Sequence, residues 1–227
     1  MPLVLEPIEA LHQVVHVPVD GILLQGDLRL PPGAPGLVMF VNGRRSSRHS
    51  ARHQLVAEAL GEARMGTLLF DLLTPEEEGR ETVTGALKSD LALLARRLMG
   101  AVRWLDRQPH TSGLKVGCLG TGIGAAAALM AAVELGDRMA AVVSGAGRPD
   151  LAGKALSKVQ CPTRLIVPGH DEDLLTLNVE AYGRLHCTRD LHLVRGDSHL
   201  FQESGRMRQV ADLSTEWFGL HLGEASC

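Results

Sequence analysis

The sequence predicts an α/β domain: a mostly parallel sheet covered by helices on both faces, with an antiparallel hairpin at its N-terminal side. Three observations carry this expectation. Short apolar runs such as GLVMFVNG, GTLLFDLL and MAAVVSG recur along the chain, and near-continuous apolarity marks strands buried on both faces. Helical segments with apolar residues at steps of three and four alternate with them. Ahead of the alternation, HQVVHVPV and ILLQGDLRL flank Asp20-Gly21, a dipeptide suited to a two-residue hairpin turn.

The elements follow in order. After the hairpin, GLVMFVNG reads as a buried strand and ARHQLVAEALGEAR as a helix. GTLLFDLL is the next strand. Pro75 and the acidic run Glu76-Glu77-Glu78 read as a solvated helix start, where carboxylates suit the dipole. A long helix then carries Leu87, Leu91, Leu94, Leu98, Val102 and Leu105 on one stripe. KVGCLG is a strand, IGAAAALMAAVEL a helix and MAAVVSG a strand. TRLIVPG and DLHLVRG are two more strands, with LLTLNVEAYGRL helical between them. The last helix places Val210, Leu213, Trp217 and Leu220 on one face.

Bulk composition narrows the function classes. With 227 residues, 45% of them hydrophobic, the chain reads as a single domain spanning 1–227. A net charge of −3 and 3% aromatic residues argue against nucleic acid and acidic membrane surfaces as partners. The opening MPLVLEPIEALHQ has no basic-then-apolar leader pattern, and no apolar run reaches the roughly 18–20 residues of a membrane span. Cys118, Cys161, Cys187 and Cys227 are far apart in sequence and read as structural thiols of a reducing compartment. The expectation is a cytoplasmic globule without cofactor or metal.

KVGCLGTGIGAAAALMAA raises the functional question. Read as G-x-G-x-x-A (Gly120, Gly122, Ala125), its turn would cradle a dinucleotide pyrophosphate. That fingerprint normally follows the first strand of its unit, with an acid at the tip of the next. Here about four strands precede it, and the next strand ends VVSGAG, with Asp150 several residues too late. Read as G-x-S-x-G from Gly120 to Gly124, the turn is a strand-to-helix nucleophile elbow with Gly122 at the nucleophile's place. An elbow of that kind requires a later strand ending in an acid and a last strand followed by a histidine. TRLIVPGHD supplies Asp171, and DLHLVRGDSH supplies His199.

From about Leu37 to the C-terminal helix the chain resembles the dienelactone-hydrolase-like branch of the α/β-hydrolases. SSRHSARHQLVAEAL, TLLFDLLTPEEE, GAAAALMAA, GRPDLAGKAL, PTRLIVPGHD and SHLFQESG carry the resemblance. It implies the α/β-hydrolase fold, with Asp171 and His199 as catalytic acid and base and Gly122 aligned with the nucleophilic serine. It also marks a second departure. Where the family looks like His-Gly followed by small residues, in the loop that supplies an oxyanion-hole amide, this chain has Asn42, Gly43, Arg44, Arg45, Ser46 and Ser47.

A glycine cannot form an acyl-enzyme. Thr121 precedes the turn, Cys118 lies back in the strand, and Ser46, Ser47 and Ser144 read as turn and capping hydroxyls. The Ile123 amide, first in the helix, remains as an oxyanion donor. His199, oriented by Asp171, could activate a water against a small ester or lactone, or take a proton from a substrate carbon or hydroxyl. Arg44 and Arg45 could clamp a substrate carboxylate or phosphate, or be solvated loop residues. His49 and His53, four apart, have metal-ligand spacing but no third ligand. The leading expectation is a hydrolase without a covalent nucleophile, acting on a small molecule. A catalytically inactive relative that binds a small ligand or a protein partner is the alternative. A glycine engineered in place of serine is a third account, against which the altered NGRRSS loop speaks. Oligomeric state is not legible.

Overall fold

The computed structural model describes residues 10–42, 48–84, 90–195, 201 and 205–223. Among them the chain forms one eight-stranded sheet in the order β1-β2-β4-β3-β5-β6-β7-β8. β1 (Leu11–Val19) and β2 (Ile22–Leu30) make the antiparallel hairpin, and β2 also runs antiparallel to β4 (Gly66–Phe70). β3 (Gly36–Asn42), β4, β5 (Lys115–Gly122), β6 (Met139–Gly147), β7 (Thr163–Pro168) and β8 (Arg189–Val194) are parallel. The hairpin turns at Asp20 and Gly21 with φ of 51° and 78°, both positive as a type I′ turn requires. Asp20 also accepts a 2.6 Å hydrogen bond from the Arg96 guanidinium.

The apolar strands are buried on both faces because their side chains alternate. Leu37, Met39 and Val41 enter one core, while Val38 and Phe40 enter the other. The first core is closed by α3 (Leu91–Leu105) and α4 (Ile123–Leu135), the second by α1 (Ala51–Glu62) and α6 (Arg206–Leu222). α4 lies close to the sheet because Ala125, Ala126, Ala127 and Ala128 present only methyl groups, all fully buried. α2 (Pro75–Thr84) leads from β4, and α5 (Glu172–Arg184) joins β7 to β8.

Several expectations need correction. The long helix begins at Leu91, with the Asp90 carboxylate accepting from the Leu93 amide at 2.9 Å; Leu87 lies outside the described residues. In α6 Val210 and Trp217 are buried, but Leu220 is 68% exposed and Phe218 takes the inward place. The apolar stripe drifts around the helix, since 3.6 residues per turn puts Ser214 and Phe218, not Leu220, over the sheet. Glu77 is half-buried rather than a free surface carboxylate. It forks onto Arg97 at 2.6 and 2.7 Å, and Arg97, 4% exposed, also donates to the Leu72 carbonyl. Glu77 and Thr74 form a reciprocal capping box at the start of α2, the T-x-x-E pattern that the sequence displays.

Candidate active site at the β5–α4 elbow

Gly122 ends β5 and precedes Ile123, the first residue of α4. Its backbone has φ 53° and ψ −130°, a conformation that glycine enters without steric cost. A Cβ built there meets no atom within 4 Å. Gly120 is glycine for a different reason. A Cβ on it would sit 2.6 Å from the Ala125 Cα and 2.7 Å from its nitrogen, so the close return of α4 over β5 excludes any side chain. The two glycines thus divide the work: Gly120 permits the approach, and Gly122 makes the turn.

Parallel register brings the neighbouring loops to this point. Asn42, the last residue of β3, pairs with Thr121, so the backbone entering the NGRRSS stretch starts beside the elbow. On the other side Thr121 pairs with Gly145 and Gly122 with Gly147, skipping Ala146. Ala146 is a bulge residue with φ 45°. The bulge lets the chain turn across the elbow, where the Arg148 amide donates to the Gly122 carbonyl at 2.8 Å. Arg148 then forks onto Asp150 through two 2.8 Å bonds. That hydrogen bonding raises the Arg148 pKa above the ordinary arginine value.

Asp171 follows β7, two strands from the elbow and hence about 10 Å along the sheet by the usual strand spacing. It caps α5, and its Oδ1 accepts from the Leu174 amide at 3.0 Å. The Gly169 amide donates to the Val194 carbonyl at 2.9 Å, which ties the Asp171 loop to the end of β8. A Cβ on Gly169 would stand 3.2 Å from that carbonyl oxygen. His199, Gly43, Arg44, Arg45, Ser46 and Ser47 lie outside the described residues. Five residues separate the end of the described β8 turn, Arg195, from Phe201, which is buried in the core under α6.

The remaining candidates are placed as follows. Thr121 has its methyl 3.9 Å from where a Gly145 Cβ would be, directed across the sheet toward β6. Cys118 is fully buried, and burial pushes its thiol far up. Ser144 is neither a turn nor a capping residue; it is fully buried inside β6, and its Oγ has no partner among the described residues. His53 is buried edge-on against Phe40 with ring centroids 5.8 Å apart, whereas His49 is exposed. Among the described residues, no group of three or more His, Cys, Asp or Glu side chains is arranged to hold a metal ion. Burial first, and Arg52 second, lower His53 to about 4.

Two polar features beside the site were not singled out from the sequence. Arg148 and Asp150 are one, legible only as an R-x-D spacing. The other is Arg48, whose backbone amide donates to Asp71 Oδ1 at 3.0 Å while its guanidinium pairs with Oδ2. Gln25 takes a further 3.0 Å bond from Arg48, and Gln54 donates to its carbonyl at 2.7 Å. Arg48 is the first described residue after the NGRRSS stretch, so this clasp fixes the chain as it leaves that stretch.

A dienelactone hydrolase of Anabaena variabilis superposes with a TM-score of 0.91 at 45% identity, over 93% of this chain and 98% of that one. This chain belongs to the dienelactone hydrolase family. An esterase of Pyrococcus furiosus (TM-score 0.75, 16% identity, 94% of this chain and 92% of that one) shares the fold. So does a dienelactone hydrolase-like promiscuous phosphotriesterase from metagenomic libraries (0.74, 17%, 93% and 98%). No protein-family model matches the chain. Two curated Mycobacterium tuberculosis proteins, provisionally named phosphoribosyl transferases, are 47% identical over 210 residues, 92% of this chain and 46% of their own. This member of the dienelactone hydrolase family therefore spans about half the length of the curated relatives it matches. Among the described residues, no helix is long and apolar enough to cross a membrane.

Proposed function

We propose that this protein hydrolyses a small ester, lactone or related carbonyl compound by general-base catalysis, without an acyl-enzyme. The observation that carries this reading is the elbow itself. Gly122 holds the turn at φ 53° with open space where a nucleophile's side chain would stand. The Ile123 amide at the start of α4 and Asp171 after β7, two strands away, are the groups to which this reading gives the oxyanion and acid roles.

In this reading Gly122 stands where relatives carry a nucleophilic serine. His199, oriented by Asp171, removes a proton from a water as that water attacks the substrate carbonyl, a role worth about 10²- to 10⁴-fold in rate. The Ile123 amide, at the positive end of the α4 dipole, holds the developing oxyanion. Arg44 and Arg45 contact an acidic group of the substrate. Asn42 and Gly43 contribute backbone at the oxyanion loop. The phosphoribosyl transferase name belongs to proteins about twice as long, and transferase chemistry is not part of this proposal.

Four proteins assayed side by side on short acyl esters and small lactones test the reading: the chain as given, His199→Ala, Gly122→Ser, and the double variant. Turnover by the given chain that vanishes in His199→Ala supports it, as does the absence of labelling by serine-directed phosphonates. Activity in Gly122→Ser alone favours the second reading, a binding protein on a hydrolase scaffold, because no neighbouring atom at Gly122 stands in the way of a serine Cβ.

A further inference from the structure

Two cysteines that are distant in sequence approach one another at the end of the sheet away from the elbow. Cys161 precedes β7 and Cys187 precedes β8. Thr163 pairs with Arg189, and the Thr163 amide donates to the Thr188 carbonyl at 2.9 Å. Cys161 and Cys187 each lie two residues ahead of this first pair, and the charge of Cys187 acts on the Cys161 thiol. Adjacent strands run about 4.8 Å apart, within the roughly 4.4–6.8 Å between Cα atoms that a disulfide bridges. The Thr163 hydroxyl donates to the Cys161 carbonyl at 3.1 Å and lowers the pKa of both thiols. Cys118 is excluded as a partner by topology: it lies on β5, opposite Val142, and β6 intervenes before β7.

We propose that Cys161 and Cys187 form a dithiol site, which a low-molecular-weight disulfide such as glutathione disulfide converts into an intramolecular bond joining β7 to β8. The half-buried Cys187 is the point of entry; Cys161 is 8% exposed. The Cys187 thiolate attacks one sulfur of glutathione disulfide, forming a mixed disulfide and releasing one glutathione thiolate. The Cys161 thiolate then attacks the Cys187 sulfur and releases the second glutathione. The pair loses two electrons and two protons, and the glutathione disulfide is reduced by the same two electrons. Among the described residues β8 is an edge strand that pairs with β7 alone, so the bond would staple the strand from which the chain continues toward His199.

Burial is the largest influence on both thiols. It pushes Cys161 up to about 12 and Cys187 above the ordinary thiol value, while Thr163 and Arg189 pull Cys187 back. The reaction therefore runs slowly at neutral pH and accelerates as pH rises, because the thiolate is the nucleophile.

The test is native incubation of the reduced protein with glutathione disulfide at pH 7, 8 and 9, followed by iodoacetamide capping and tryptic mapping. The expected result is a disulfide-linked pair of peptides, Val159–Arg164 with Leu185–Arg189, released by dithiothreitol and forming several-fold faster at pH 9 than at pH 7. In Cys161→Ser, or Cys161→Ala if the serine variant does not fold, Cys187 should instead retain glutathione. Recovery of both wild-type peptides unlinked, or linkage of either to Cys118 or Cys227, overturns the proposal. So does a Cys161 variant in which Cys187 takes up no glutathione.

Discussion

The Arg148 amide donates a 2.8 Å hydrogen bond to the Gly122 carbonyl, so the loop after β6 latches directly onto the turn between β5 and α4. With the bulge at Ala146, this latch fixes an otherwise unusual backbone at Gly122 from outside the turn. The elbow is thus maintained by its neighbours, independently of any side chain at position 122.

The two glycines of the elbow should respond differently to alanine. Gly122→Ala meets no neighbouring atom and pays only for an L-residue at φ 53°, about 1–3 kcal/mol. Gly120→Ala drives a methyl into the backbone of α4 and should cost roughly 3 kcal/mol or more. Urea denaturation of the two variants checks this, with the Gly120 variant unfolding at clearly lower denaturant.

Glu77 and Arg97 form a second sensitive point. Removing the carboxylate in Glu77→Ala leaves a guanidinium that is 4% exposed with the Leu72 carbonyl as its one remaining partner among the described residues, and should cost about 3–5 kcal/mol. Pairing Glu77→Gln with Arg97→Met removes the buried charge as well and should recover a substantial part. Chemical denaturation of the single and double variants measures the difference.

His53 predicts an acid-sensitive component of stability. Its pKa falls to about 4 in the folded protein, below the unfolded value of about 6.5, so the unfolded chain binds the proton first. Stability is intact above pH 6.5, declines as pH falls from 6.5 to 4, and the loss levels off below 4 at about 3 kcal/mol. His53→Gln should flatten that component in thermal melts across this window.

Asp71 should matter beyond its own burial, because it holds both the amide and the guanidinium of Arg48. Asp71→Ala leaves Arg48 with Gln25 and a longer 3.7 Å contact to Asp27. A loss of about 2 kcal/mol is expected, since hydrogen bonds to charged groups contribute roughly 1.5–3 kcal/mol each. Denaturation of Asp71→Ala and Asp71→Asn measures it, with the asparagine variant less affected.

The fold was legible because strand and helix signals are local. The apolar runs at Gly36–Asn42, Gly66–Phe70 and Thr163–Pro168 are unbroken, and Asp20-Gly21 encodes its own turn. The glycine turn and Asp171 could be placed for the same reason, as strand ends need only chain order. Pairings across the fold were not legible. Glu77 looked like one of three solvated carboxylates, because its partner Arg97 lies twenty residues on. Cys161 and Cys187 looked isolated because only parallel register brings them together. Leu220 was placed inward by counting threes and fours, yet the sheet beneath α6 is met by Phe218 instead.

The proposed mechanism has His199 and Asp171 working without a covalent nucleophile at Gly122. The most direct measurement is kcat/KM on a panel of short acyl esters and small lactones for the chain as given and for His199→Ala. Measurable turnover is expected, falling at least about 10²-fold in the variant. Turnover unchanged by His199→Ala would contradict that mechanism.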